Sequence, residues 1–178
     1  MNIANTASES VKTKLSLITQ RWNFLALLMI SFLIFSGCQS PGHTSRQKMV
    51  HDKGSHVMPF DLAETQHIFQ MTENGGIQLV IIKNKMDKNQ IESIREHLMH
   101  EAIQFQSGNF SDPTTLHGET MPGISELSKN ASEINIEYSD LPEGAQIEFQ
   151  TDDIHLITEI HRWFGAQLSD HGSDATYR

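Results

Sequence analysis

From Thr65 the chain alternates, with Thr65, His67, Phe69 and Met71 on one side and Gln66, Ile68 and Gln70 on the other. Period two predicts a strand. Glu73-Asn74-Gly75-Gly76 supplies the residues of a hairpin turn, and Ile77 to Lys83, with its β-branched run Val80-Ile81-Ile82, predicts the returning strand. Asp87 then caps a helix reaching to about Gln106. At helical pitch its residues Ile91, Ile94, Leu98, Ala102 and Phe105 fall within an arc of about 80°, a one-sided apolar stripe. Ser107 to Asn130 is rich in turn formers and reads as a long loop with a short helical turn at 124–127. A loop this long inside a compact domain is usually functional or partly structured.

The pattern then recurs. Ile134, Ile136 and Tyr138 alternate with polar residues, Leu141-Pro142-Glu143-Gly144 turns the chain, and Gln146 to Thr151 form a strand. Asp152 or Asp153 caps a second helix to about Leu168, with a stripe of Ile157, Ile160, Phe164 and Leu168 and with Ile154 on its flank. Hairpin, acidic cap and amphipathic helix thus occur twice, a duplicated ββα unit. Such a chain is of the α+β class, and the expected architecture is a four-stranded antiparallel sheet with both helices on one face. The domain is expected over 58–172, with 173–178 as a tail.

The N-terminal part has another character. Lys12, Lys14 and Arg21 precede the apolar run FLALLMISFLIF (24–35), the charge-then-hydrophobe layout of an export signal. The run is shorter than the roughly 20 apolar residues of a spanning helix. It ends Phe35-Ser36-Gly37-Cys38, and Cys38 is the only cysteine in the chain. This ending resembles the lipobox of bacterial lipoproteins, although Phe35 stands where leucine is usual. The resemblance implies removal of residues 1–37, lipidation of Cys38 and anchoring in the cell envelope. Gln39 after the cysteine implies the outer membrane, facing the periplasm. Lipid chains anchor through about 0.8 kcal/mol per buried methylene. Residues 39–57, polar and without apolar periodicity, are expected to be a flexible tether.

Without the first 37 residues, 10 Lys+Arg oppose 21 Asp+Glu, a net charge of −11, while all ten histidines remain. So acidic a module lacks the basic footprint that nucleic acid demands. A single cysteine excludes a disulfide framework and CxxC sites. No GxSxG elbow and no glycine-rich phosphate loop occurs. The histidines are the chemical oddity. His43, His51 and His56 fall in the tether, and His100 and His155 point away from their apolar stripes. His67 shares a strand face with Phe69 and Met71. His97 stands one helical turn before Glu101, His117 lies in the long loop, His161 at the edge of a stripe, and His171 near the C-terminus. Imidazole binds copper, zinc, nickel and iron, and thioether sulfur adds a preference for copper(I).

The expected function is therefore a non-catalytic, lipid-anchored protein binding a transition metal, copper favoured, or a small ligand. The expected ligands are His67, His97, His117, His161 and His171, with Met121 and Glu101 as softer additions. A small extracytoplasmic enzyme using a histidine as acid or base and a structural or partner-binding lipoprotein are the alternatives. Glu101, Asp112 and Glu119 are carboxylates that a fold can bring together for glycoside hydrolysis, though no spacing demands it.

The segments MPFDL (58–62), T-x-H-x-F (65–69), GGIQ (75–78), QIxxIRxHLxxEA (90–102), GNFSDP (108–113), HGxxMPG (117–123), LPEGA (141–145) and HxWFxAQLSDHG (161–172) resemble a small family of uncharacterised bacterial proteins. Members of that family often carry the label aspartate carbamoyltransferase. That label does not suit the chemistry: the transcarbamoylase fold needs two α/β domains, and its Ser-Thr-Arg-Thr phosphate motif is missing here. The resemblance implies that His67, His97, His117, His161 and His171 all belong to the family's pattern.

Overall fold

The computed structural model describes residues 44–178. The export signal, the lipobox and Cys38 lie outside the described residues.

The first described element corrects the sequence expectation. Residues 45–57 form helix α1 (Ser45–Val57), where a tether was expected. Its start is a reciprocal capping box: Thr44 Oγ1 accepts from the Gln47 amide at 3.3 Å, and Gln47 Oε1 accepts from the Thr44 amide at 2.9 Å. Only Val50 and Gly54 of this helix are buried. Its hold on the domain is otherwise polar, which is why no apolar period announced it.

The two ββα units follow as expected. Strands β1 (Thr65–Thr72) and β2 (Gly75–Ile82) pair antiparallel around the turn Glu73-Asn74. Gly75 sits at φ +148°, and a Cβ there would lie 2.0 Å from the carbonyl oxygen of Phe149 on the neighbouring strand, so this close approach needs glycine. Asp87 caps α2 (Lys88–Gln106), its carboxylate accepting from the Gln90 amide. The long connection holds two short helices, α3 (Ser111–His117) and α4 (Ile124–Lys129). Strands β3 (Asn135–Leu141) and β4 (Gly144–Gln150) and the Asp153-capped α5 (Ile154–His171) complete the second unit.

The sheet has five strands in the order β3-β4-β2-β1-β5 and is mixed. The expected four antiparallel strands are joined by β5 (Ala175–Tyr177), which pairs parallel with β1 in the register His67↔Ala175. The presumed tail is thus an edge strand. Gly172 ends α5 at φ +56°, and a 3-10 turn over Gly172–Asp174 re-aims the chain. Phe69, Val80, Ala145, Ile147 and Phe149 share one face of the sheet and form a single core with α2 and α5.

On α2 the buried stripe is the expected one, with Glu101 added. On α5 the buried set is Leu156, Ile160, Trp163, Phe164 and Gln167, whereas Ile154 is 71% exposed and Ile157 and Leu168 only half-buried. The helix is turned so that Trp163 faces Phe105, Phe110 and Phe149. Burying the indole outweighs burying Ile154 and Ile157, because aromatic side chains remove the most apolar area from water.

Candidate functional site

Besides Thr65, the core face of the first hairpin carries two polar residues in register with apolar ones: His67 opposite Val80, and Gln78 opposite Phe69. Above them lie His97 and Glu101 from α2, Asp112 and His117 from α3, and Trp163, Gln167 and His171 from α5. All of these line one cavity of about 30 Å³ together with aromatic and aliphatic side chains. That is room for a few water-sized groups.

One side of the cavity is a mixed donor cluster. His97 and Glu101, one turn apart on α2, meet Asp112 in the first turn of α3, and one donor atom from each lies within 4.8 Å of the others. Glu101 is only 7% exposed. Burial, the negative charge of Asp112 and a hydrogen bond to Asp112 together push the Glu101 carboxyl up to about 8. Near neutrality it therefore holds a proton between two carboxyl groups. His97 is held below the usual imidazole range, chiefly by burial, so it is a neutral donor.

The opposite side is a file of imidazoles. His67 and His171 stack at 5.2 Å with rings 8° from parallel, and His117 meets His171 edge-on at 5.0 Å. Phe60 packs edge-on against His97 at 5.7 Å and lies 6.3 Å from His67. Burial pulls His67 down to about 4, with the neighbouring His97 adding to the effect. Burial, then His67 and His117, hold His171 well below its ordinary value. All three file members are neutral at pH 7, because burial also lowers His117 against the opposing pull of Asp170.

His117 is held with particular care. Its Nδ1 lies 2.9 Å from Asp170 Oδ2, and Asp170 in turn accepts from Arg46 Nε at 3.0 Å and Nη2 at 2.5 Å. Arg46 Nη2 also donates to the His117 carbonyl at 2.6 Å. Burial raises Asp170, but the hydrogen bonds from Arg46 and His117 outweigh it and leave the carboxyl below its usual range. An anionic acceptor at Nδ1 assigns the proton to that nitrogen. The other nitrogen, Nε2, carries the lone pair, and it is buried with no hydrogen-bond partner.

Four of the five expected ligands, His67, His97, His117 and His171, thus line one cavity. His161 is the exception. Its Nε2 lies 3.0 Å from the Thr72 carbonyl and 2.8 Å from that of Gly75 and donates to both, binding α5 to the first hairpin. Met121 is buried but lines a different, shallow concavity beside Arg46 and Arg162. Of the three carboxylates, Glu101 and Asp112 converge, and Glu119 is exposed outside the cluster. Sequence reasoning missed Gln78, Trp163, Gln167 and Asp170. Trp163, Gln167 and Asp170 carried a usable signal, since spacings of four and three place them on one side of α5. Gln78 offered none, because its strand is apolar on both faces.

No family model, no curated protein and no solved structure matches this chain.

Proposed function

We propose that the chain is a lipid-anchored envelope protein that binds a divalent transition metal ion through His97, Glu101 and Asp112. The observation that carries this reading is the convergence of His97, Glu101 and Asp112, whose donor atoms lie within 4.8 Å of one another with the Glu101 carboxyl buried. The donor set, one nitrogen and carboxylate oxygens, suits zinc, iron(II) or manganese(II) better than the copper expected from composition, because no thioether joins it. His67, His117 and His171 remain close by as neutral imidazoles. The lipid anchor rests on the lipobox at Cys38. Among the described residues no helix is long and apolar enough to cross a membrane.

The test is equilibrium metal binding by the full chain in detergent, after chelation and with zinc, iron(II), manganese(II) and copper(I) compared. We expect one ion per chain, with Asp112→Asn weakening binding by about a hundredfold. Sub-stoichiometric binding of every metal, or an Asp112→Asn chain that binds as tightly, would overturn the reading.

A further inference from the structure

Among the described residues four buried side-chain atoms have no hydrogen-bond partner: Gln78 Oε1, His117 Nε2, Trp163 Nε1 and Gln167 Oε1. All four belong to residues that line the one cavity holding the His97–Glu101–Asp112 cluster. Buried polar atoms are almost always paired, so an unpaired one calls for a specific cause. Scattered through the core, four would have four separate causes; gathered on one cavity, they share a missing partner.

Their chemistry describes that partner. Trp163 Nε1–H is the one donor, and it suits a carbonyl oxygen. The two glutamine oxygens are acceptors, and they suit the hydrogens of an –NH2 group. His117 Nε2 is an acceptor of another kind, a basic nitrogen whose ring is already oriented by Asp170. A carbonyl, an amino group and one further proton donor are the polar features of a primary amide beside a water molecule.

We propose that this cavity hydrolyses a small primary amide, with His117 as the catalytic base that deprotonates a water held on the metal ion. This rests on the metal reading above. His117 Nε2 takes a proton from the attacking water and becomes imidazolium; an ion held by His97, Glu101 and Asp112 would make that water more acidic. The water oxygen bonds to the carbonyl carbon, and Trp163 Nε1–H donates to the carbonyl oxygen as its charge builds. The C–N bond then breaks, the His117 proton passes to the departing nitrogen, and the products are a carboxylic acid and ammonia. Asp170 is a positioning residue: it fixes the His117 tautomer and faces the imidazolium when it forms. The other groups acting on His117 are Arg46 and Lys53, which oppose its protonation, and the neighbouring His171 and His67. The cavity of about 30 Å³ admits only a few water-sized groups, so the substrate is restricted to the smallest amides.

The experiment measures ammonia release by the zinc- or cobalt-loaded full chain in detergent, with formamide, acetamide and benzamide as substrates. Formamide should turn over fastest, acetamide more slowly and benzamide not at all. His117→Gln should lower the rate by about a hundredfold or more with metal content unchanged. Asp170→Asn, which keeps an acceptor at Nδ1, should displace the acid limb of the pH–rate profile, a change that a purely structural role would not produce. Tryptophan fluorescence checks that each variant folds, and Asp170→Asn carries the test if His117→Gln does not. Stoichiometric metal without ammonia release would overturn the proposal, leave the metal reading standing and make water the cavity's occupant. Full activity in His117→Gln, with an unmoved pH profile in Asp170→Asn, would remove His117 from the chemistry. A chain that binds no metal would overturn both readings.

Discussion

Helix α5 carries one histidine at mid-length and another at its C-terminal end, and the two regions use the same side chain in opposite ways. His161 spends its Nε2 on the carbonyls of Thr72 and Gly75, so it fastens a helix to a hairpin. His171 is caught between the rings of His67 and His117 on the wall of a polar cavity, and burial keeps it uncharged. Composition counts both alike, as did the sequence reading. What separates them is whether a backbone acceptor already holds the nitrogen. Reactivity gathers where polar groups are buried and their partners are lacking.

The largest effect that would sharpen this contrast is on stability against pH in the metal-free chain. Glu101 has a folded-state value of about 8 against an ordinary 4.5. The native state therefore holds a proton that the unfolded chain has released, and stability must fall as pH rises from about 5 to 8. The loss is on the order of 3 kcal/mol. His67, held down to about 4, acts in the other direction: the unfolded chain takes up the proton first, so stability is lost as pH falls below 6.5. The metal-free chain should accordingly be most stable near pH 6. Urea unfolding in the presence of a chelator, repeated from pH 5 to 9, measures both limbs. Glu101→Gln should flatten the alkaline limb alone, whereas variants of His161 should leave both limbs in place. An alkaline limb unchanged by Glu101→Gln would break the account of the shared proton.

Next in size is His161→Ala. It removes a donor from two carbonyls at the point where α5 meets the first hairpin, at a cost of about 1–3 kcal/mol. Metal affinity should stay within experimental error of the wild type. A denaturant midpoint that drops while the binding isotherm holds still is the expected pair of results. A His161→Ala chain that lost metal binding without losing stability would merge the two regions that the structure keeps apart.

The duplicated ββα unit was legible because it rests on local signals: period two in the strands, glycine in the turns, aspartate before each helix. The fifth strand was not, because Ala175-Thr176-Tyr177 is too short to show a period and owes its place to Gly172, which redirects the chain at the end of α5. Helix α1 was hidden for a related reason. It buries only Val50 and Gly54, so its evidence is the Thr44–Gln47 cap and ties to residues far along the chain. At the cavity, His97 and Glu101 were readable as neighbours from helical spacing. Their meeting with Asp112 depends on how α3 folds within the long connection, which no local pattern encodes. Gln78 became meaningful only once the pairing register put it on the core face.

The smallest predicted effect joins α1 to the cavity. Arg46 reaches Asp170 and the His117 carbonyl, Lys53 the Thr115 carbonyl, and Gln47 that of Ser169. These ties end on the two elements that carry His117 and His171. The Arg46 side chain is 43% exposed, so its ion pair with Asp170 is screened by solvent. Arg46→Ala should therefore cost the whole fold no more than about 1 kcal/mol. Its effect should instead be local. With few apolar contacts to hold it, α1 should open more often once the guanidinium is gone, and amide exchange should quicken along 45–57 while β1 and β2 stay protected. Asp170 would then face His117 without a second cation, so a protonated imidazole would be favoured more than in the wild type. If exchange along α1 does not change, the Arg46 ties are incidental to the helix, which Val50, Gly54 and the remaining polar ties of Gln47, His51 and Lys53 then hold.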